Sequence, residues 1–199
     1  MEELPVVQDG PAPVERADAA RNRESILLAA ERLFGEHGAA CVSMDDIAAE
    51  AGVGKGTLFR RFGDRAGLAQ AMLTERERRF QEAVIRGPAP LGPGAPPLDR
   101  LIAFGHAALH HYTDIGDLVV AAEARGARYR SAPYAFNLAH VSILVREAVP
   151  DADWEYISDV LMGALAAAHL KYLREDRGMT VERLCIGWED LVARLLRCR

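Results

Sequence analysis

Apolar residues recur every three or four positions through most of the chain, the spacing that places them on one face of an α-helix. In RNRESILLAAERLFGEHG, the stripe opposite the charged residues consists of Ile26, Ala29, Ala30, Leu33 and Phe34. Later segments with this period are 98–112, 116–129, 133–149, 153–175 and 180–197. No stretch alternates apolar and polar residues convincingly, as a β-strand would. The sequence therefore predicts an all-α chain of roughly nine helices.

Two segments interrupt the helical pattern. Residues 1–20 contain five acids, one arginine and three prolines, which indicates a disordered acidic tail. GPAPLGPGAPP, residues 87–97, contains five prolines and three glycines and is predicted to be a flexible connector.

A helix-turn-helix is predicted between residues 43 and 62. Ser43 and Asp46 have the spacing of a capping box at the start of a short helix, and Gly52 supplies a left-handed turn after it. Ala48 is small where two helices must approach, and the following apolar positions that point to the core are Val53, Leu58 and Phe62. Such a motif places its second helix in the major groove of DNA.

The charge distribution restricts any nucleic-acid contact to a local patch. The chain has a net charge of −5, and no long segment is strongly basic. VGKGTLFRRFGDR, however, carries four basic residues against the single acid Asp64, which can also cap the next helix. Gly54 and Gly56 fall in the first turn of the second helix, where a missing side chain lets the backbone approach a phosphate.

The segment SMDDIAAEAGVGKGTLFRRFGDRAGL resembles the DNA-binding signature of the tetracycline-repressor (TetR) family of bacterial transcription regulators. The resemblance implies a three-helix DNA-binding domain at 21–66 and a ligand-binding and dimerisation domain at 67–199. It implies DNA-binding roles for Ser43, Lys55, Gly56, Thr57, Phe59, Arg60, Arg61 and Arg65.

Within this set, Lys55 and then Thr57 are the predicted base contacts, whereas the arginines are predicted to bind phosphates. The sequence departs from the family pattern at Gly54, where serine is usual, and at Phe59, where tyrosine is usual. Both changes remove a hydroxyl. The role of Phe59 stays open between a DNA contact and packing.

The rest of the chain is similar to the family in length and helical pattern. The resemblance implies a ligand chamber in 98–149, whose candidate residues are His106, His110, Tyr112, Glu123, Tyr134, Asn137 and His140. It also implies a homodimer formed by the last two helices, whose candidate interface residues are Trp154, Leu161, Leu165, Tyr172, Leu184, Trp188, Leu191 and Leu195. Burial of both stripes within one subunit is the alternative.

No pattern of catalytic or cofactor-binding residues is found. GVGKGT has the wrong glycine-to-lysine spacing for a nucleotide-binding loop, and His106 and His110 alone are two ligands short of a typical metal site. The three cysteines form no CxxC pair, and no apolar run approaches the ~20 residues that span a bilayer. We therefore expect a cytoplasmic protein that is not an enzyme and has no metal, cofactor or membrane partner.

These observations lead to one hypothesis and two alternatives. The hypothesis is a dimeric repressor that leaves a palindromic operator on double-stranded DNA when a small apolar molecule binds. The first alternative is an activator or global DNA organiser with the same DNA-binding domain. An all-α enzyme or carrier with a vestigial helix-turn-helix is the second.

Overall fold

The computed structural model describes residues 13–37, 41–114, 129 and 131–196. These residues form nine α-helices and no β-strand, which confirms the predicted all-α class. In chain order the helices are α1 Pro13–His37, α2 Met44–Glu50, α3 Lys55–Phe62, α4 Arg65–Arg86, α5 Pro97–Asp114, α6 Ala132–Ala148, α7 Trp154–Ala164, α8 Ala167–Glu175 and α9 Val181–Leu195. Of the predicted helix 116–129, only Tyr129 lies within the described residues.

The chain divides into two compact units, with the boundary between Met72 and Leu73, inside α4. The sequence placed the domain boundary earlier, at residue 66. The first unit has its own apolar core, built from one stripe of α1 and the inner faces of α2, α3 and α4. Its buried members are Ile26, Leu27, Ala30, Val42, Ile47, Ala48, Leu58, Phe62, Leu68 and Met72.

Helix α1 begins earlier than the sequence predicted. Residues 13–20 were assigned to the disordered tail, but they continue the helix in the N-terminal direction. Proline is tolerated in a first helical turn, where no intrahelical donor is needed, so Pro13 can start α1. The Glu, Arg and Ala residues that follow are good helix formers. The first twelve residues of the predicted tail lie outside the described part.

In the second unit, α5 packs against α6, α8 and α9, and α6 packs against α7. The core side chains come from all of these helices and from the second half of α4. The largest fully buried ones are Phe104, Leu101, Leu144, Leu161, Met162, Leu165 and Val84.

The proline- and glycine-rich segment before α5 forms a compact run of turns. The Gly92 N–H donates to the Pro88 carbonyl at 2.9 Å, and Gly92 is buried. A Cβ on Gly92 would overlap the carbonyl of Gly87, so the turn depends on glycine there. The sequence predicted a flexible connector, because composition alone gives no sign of this close backbone approach.

The predicted helix 153–175 is divided in two. Helix α7 ends at Ala164 and α8 begins at Ala167, with Leu165 and Ala166 out of helical conformation between them. The run GALAAAH contains strong helix formers, so local propensity gave no warning of the break. Leu165, Ala167 and Leu170 are all buried, which indicates that tertiary packing overrides propensity at this point.

A contact between α5 and α9 closes the core of the second unit. The indole Nε1 of Trp188 donates to the Leu101 carbonyl at 3.1 Å, and the ring lies directly over Gly105. A Cβ at Gly105 would overlap the indole. Gly163, also helical, has no neighbouring atom within 4 Å of the position that a Cβ would take, and so it has open space by comparison.

We expect Gly105→Ala to destabilise the protein by about 1–3 kcal/mol, the typical cost of overpacking a filled core. Gly163→Ala is the matched control, and we expect it to stabilise by about 0.5–1 kcal/mol because alanine favours the helix. Urea unfolding of both variants, followed by circular dichroism, measures the two effects. Equal effects of the two substitutions would contradict the packing described here.

Candidate nucleic-acid interface and buried polar cluster

Helix α2 starts with a complete capping box, as the sequence predicted. The Asp46 N–H donates to Ser43 Oγ at 3.2 Å, and the Ser43 N–H donates back to Asp46 Oδ2 at 2.9 Å. Ser43 Oγ also donates to the same carboxylate oxygen at 2.7 Å. These hydrogen bonds from Ser43 lower the pKa of Asp46 below its ordinary value. Ser43 thus caps α2, and its DNA-binding role stays a prediction.

The turn between α2 and α3 directs the second helix outward. Gly52 has φ of +65°, the left-handed conformation predicted for it, and the Val53 N–H donates to the Ala48 carbonyl at 3.0 Å. Ala48 is buried at this close approach, and Leu58 and Phe62 anchor the inner face of α3 in the core. The remaining side chains of α3 therefore face away from the core of the unit.

The N-terminus of α3 is bare. Gly54 is its N-cap and offers no side chain to the first-turn N–H groups. Around Gly56 there is no atom within 4 Å of where a Cβ would be, so nothing in the described part of the chain covers this side of the turn. Free N–H groups and the positive end of the helix dipole favour an anion at such a position.

Lys55, at the start of α3, is exposed and held by an acid. Its Nζ lies 2.7 Å from Asp45 Oδ2, and both side chains are largely exposed, at 62% and 60%. The same Nζ lies 5.9 Å from the centroid of the Phe59 ring, which is itself 39% exposed. Asp45 was not among the residues selected from the sequence. The sequence did contain one signal for this ion pair: Asp45 lies in the first turn of α2, across the turn from α3.

The three arginines predicted to bind phosphates differ in their surroundings. Arg60 is exposed and has no hydrogen-bond or ion-pair partner among the described residues. Arg61 donates through Nη1 to the Ala19 carbonyl of α1. Arg65 donates through Nη1 to the Val42 carbonyl at 2.6 Å and lies over the Phe34 ring at 5.5 Å. Arg61 and Arg65 thus also tie parts of the first unit together, which the sequence did not predict.

Asp64 caps α4, as predicted, by accepting from the Gly67 N–H at 2.9 Å. Thr57 is half-buried on α3, one turn before Arg60 and Arg61. The eight predicted DNA-binding residues therefore occupy the capped start of α2, the bare start and outer face of α3, and the start of α4.

In the second unit, some of the predicted pocket residues form a polar cluster between α5 and α6. Asn137 is 1% exposed, and its Nδ2 donates to the Tyr112 hydroxyl at 3.1 Å. The Asn137 Oδ1 atom is buried without a hydrogen-bond partner in the described structure, and so is His140 Nε2 one turn further along α6. A buried polar atom without a partner is costly, which makes this cluster a candidate for binding a polar group or water.

Burial lowers the pKa of His140 to about 4, with the nearby Arg100 guanidinium acting in the same direction. The imidazole is therefore neutral at pH 7, and its ring lies 5.3 Å from that of Phe104. Tyr134 stands one turn before Asn137 on α6 and packs edge-on against Tyr129 at 5.2 Å. Because Tyr134, Asn137 and His140 are spaced three residues apart, they lie in one row along α6.

The other predicted pocket residues do not join this cluster. His106 lies 3.0 Å from Glu189 of α9, and His110 is exposed, so the two histidines have separate surroundings. Glu123 lies outside the described residues. His111, which the sequence did not select, stacks on Phe80 at 5.1 Å and lies 3.3 Å from Glu77. Among the described side chains, no three His, Cys, Asp or Glu residues come together as metal ligands.

Half of the predicted dimer residues are buried in the subunit's own core. Leu161, Leu165, Leu184 and Trp188 have at most 8% exposure, so a partner chain could not contact them at the surface. In the structure these apolar residues face the subunit's own core. Helical periodicity indicates that a helix face is covered, but it does not distinguish a core from an interface. Trp154 and Leu191 are half-buried, and Tyr172 and Leu195 are exposed. Additional exposed apolar side chains on α7 and α9 are Tyr156, Val160 and Ile186.

No helix in the described part of the chain is both long enough and apolar enough to span a bilayer.

Comparison with known proteins supports the first unit as a DNA-binding domain. Residues 26–72 match the family model of "Bacterial regulatory proteins, tetR family". An HTH-type transcriptional regulator of Staphylococcus aureus (strain USA300) is 47% identical over 53 residues, which are 27% of this chain and 29% of that protein. The similarity thus spans less than a third of the length of the curated relatives it matches.

Solved structures extend the similarity in fold to most of the chain. A TetR transcriptional regulator from Streptomyces coelicolor is 29% identical, with a TM-score of 0.55 and coverage of 88% of this chain and 98% of that one. A protein from Saccharomonospora viridis in complex with choline is 18% identical, with a TM-score of 0.68 and coverage of 90% and 100%. The Staphylococcus and Streptomyces relatives are regulators, which supports the prediction of a regulator rather than an enzyme.

The Asp45–Lys55 ion pair generates a prediction about DNA affinity. Asp45→Asn should raise affinity for DNA several-fold at low salt, because it frees the lysine and removes a carboxylate that repels phosphates. The gain should shrink as salt rises, since exposed charges are screened. Fluorescence anisotropy with a labelled duplex at several salt concentrations measures this. Glu147→Gln, an exposed acid on α6, controls for net charge and should leave affinity unchanged.

The depressed pKa of His140 generates a prediction about stability and pH. The unfolded chain takes up a proton near the ordinary pKa of 6.5, whereas the folded chain resists it down to about 4. The free energy of unfolding should therefore fall as pH drops from 6.5 to 4. His140→Gln should lack this part of the decrease, and the exposed control His110→Gln should retain it. Parallel pH profiles for all three proteins, measured by urea unfolding, would contradict the burial of a neutral imidazole.

Proposed function

We propose that the chain is a ligand-responsive transcriptional repressor, on the premise that residues 26–72, which match the family model of the tetR family of bacterial regulatory proteins, bind DNA. It binds a palindromic operator as a homodimer and leaves it when a small, largely apolar molecule binds the second unit. The observation that carries the proposal is the bare, outward-facing start of α3, with exposed Lys55 and Arg60 beside it.

The first step is recognition by α3. Because Leu58 and Phe62 fix its inner face in the core, the outer face can enter a major groove without rearrangement of the helix. Lys55 at the tip reads base edges after exchanging Asp45 for DNA, and Thr57 lies beside it. Arg60, which has no partner in the described structure, binds a phosphate and sets position rather than sequence.

The second step is pairing of two chains. The exposed apolar side chains Tyr156 and Val160 are one turn apart on α7, and Ile186 is exposed on α9. In a dimer with a two-fold axis, each of these side chains would be covered by the partner chain in a self-complementary interface. Such a dimer would present two α3 helices to half-sites about one DNA turn apart.

The third step is response to an effector. Asn137 and His140 each offer a buried atom without a partner in the described structure, and apolar rings such as Phe104 lie beside them. A molecule with an apolar body and a hydrogen-bonding group satisfies these atoms. Its binding shifts the population of conformations only if it favours the state that does not fit DNA. The site of action is the bacterial cytoplasm, where the operator is accessible.

Selection of bound duplexes from a random library tests the proposal. We expect a palindromic consensus whose half-sites are centred about 10 base pairs apart or a multiple of one turn. A single unpaired half-site would contradict the dimer, and the absence of any enriched sequence would contradict the regulator itself. Overlap of the mapped site with a promoter, in a footprint with polymerase, distinguishes repression from activation.

The two side chains at the tip of α3 should differ in their effects on binding. Lys55→Ala should cost about 1–3 kcal/mol on the selected sequence and relax the preference at one base pair. Arg60→Ala should weaken binding to all sequences similarly. It should also reduce the slope of the logarithm of the binding constant against the logarithm of salt concentration by about 1. Arg86→Ala, at the end of α4, is the control and should change neither. Titrations of selected and scrambled duplexes at several salt concentrations measure both quantities.

A further inference from the structure

A cavity of about 250 Å³ lies in the second unit among α5, α7, α8 and α9. Its wall is largely apolar and includes Leu109, Leu165, Leu170, Leu191 and Trp188. None of these residues belongs to the polar cluster between α5 and α6. The cavity is therefore a separate opening in the second unit.

Two titratable side chains line this cavity, and both are basic types, His169 of α8 and Arg183 of α9. Among the described residues, Arg183 has no ion-pair partner. Gly187 lies beside it, one turn further along α9, and a Cβ there would come within 3.4 Å of Arg183 Nη1. The missing side chain therefore leaves room next to the guanidinium.

The break between α7 and α8 adds the positive end of a helix dipole. Ala164 and Leu165 before the break line the cavity, and so do His169 and Leu170 after it, so α8 begins at the cavity wall. Its N-cap is Ala166, whose methyl group cannot accept a hydrogen bond from the first-turn N–H groups. The start of a helix carries partial positive charge, which favours a negatively charged group nearby.

We propose that this cavity binds a small apolar carboxylate. The aliphatic wall takes the hydrocarbon body, and the carboxylate lies toward Arg183 and His169, where a guanidinium can donate two parallel hydrogen bonds. The volume lies below the usual ~300–1,000 Å³ of pockets for drug-sized ligands, so the ligand is correspondingly small. This binding goes beyond the proposed regulatory function and does not depend on it.

Calorimetric titration of the full chain, without DNA, tests the site with octanoate and with 1-octanol, which has the same body but no charge. We expect octanoate to bind about two- to fivefold more tightly, because Arg183 is exposed and an ion pair at an exposed site contributes no more than about 1 kcal/mol. Arg183→Gln should remove this preference, and Arg183→Lys should retain part of it. Arg177→Gln, an exposed arginine outside the cavity wall, is the matched control and should behave as the unmodified protein.

Ala164→Leu places extra volume in the cavity and should abolish binding of both compounds. Thermal unfolding by circular dichroism verifies that each variant is folded, and the exposed Arg183 substitutions keep the test valid if Ala164→Leu does not fold. Equal binding of octanoate and 1-octanol, no binding of either, or unchanged binding in Arg183→Gln overturns the proposal. The proposal is also overturned if Ala164→Leu changes the oligomeric state but still binds octanoate. The cavity would then be part of an interface between two copies, and octanoate would bind elsewhere. Since no DNA is present, these results are independent of whether an operator is found.

Discussion

The left-handed turn at Gly52 is the constraint on which the first unit depends. Its φ of +65° costs about 1–2 kcal/mol for a residue with a Cβ, because the side chain crowds the following carbonyl. The turn brings the Val53 N–H to the Ala48 carbonyl and so fixes α3 against α2. Once Leu58 and Phe62 are seated in the core, the bare N-terminus of α3 can only face outward. The chemistry of the surface thus follows from one backbone conformation.

In the proposed function, this surface is the place where an acidic chain binds a polyanion. Three of its cationic groups already have partners within the chain: Asp45 for Lys55, the Ala19 carbonyl for Arg61 and the Val42 carbonyl for Arg65. An exposed ion pair contributes only about 0–1 kcal/mol, so exchanging Asp45 for DNA costs little. The net charge of −5 gives no general attraction for DNA. In the proposed function, affinity for DNA therefore comes from close contacts at the start of α3, and these contacts depend on how well the helix fits the major groove.

Features fixed by neighbours in sequence could be predicted, whereas features fixed by distant contacts could not. The Ser43–Asp46 capping box and the turn at Gly52 each depend on a few adjacent residues, and both appear in the structure as predicted. The seating of Trp188 over Gly105 joins residues on two helices far apart in the chain, and no local pattern indicates it. Likewise, a stripe of apolar residues shows that a helix has a covered face, but it does not show whether the subunit or a partner covers that face.

The break between α7 and α8 illustrates why the last helices were the hardest to predict. In an unbroken helix, Leu161, Leu165, Ala168 and Tyr172 would share one face, as the periodicity indicated. In the structure, Leu161 and Leu165 are buried, but beyond the break Ala167 and Leu170 are buried instead, while Ala168 and Tyr172 are exposed. The break therefore rotates the buried face to nearly the opposite side of the helix.

Burying a leucine contributes about 1.5–3 kcal/mol, several times the propensity difference of a single residue, so the packing of Leu165 and Leu170 can impose this rotation on a run of good helix formers. It leaves the start of α8 uncapped beside an apolar cavity. The break thus places the positive end of a helix beside a wall whose other members, apart from His169 and Arg183, are apolar.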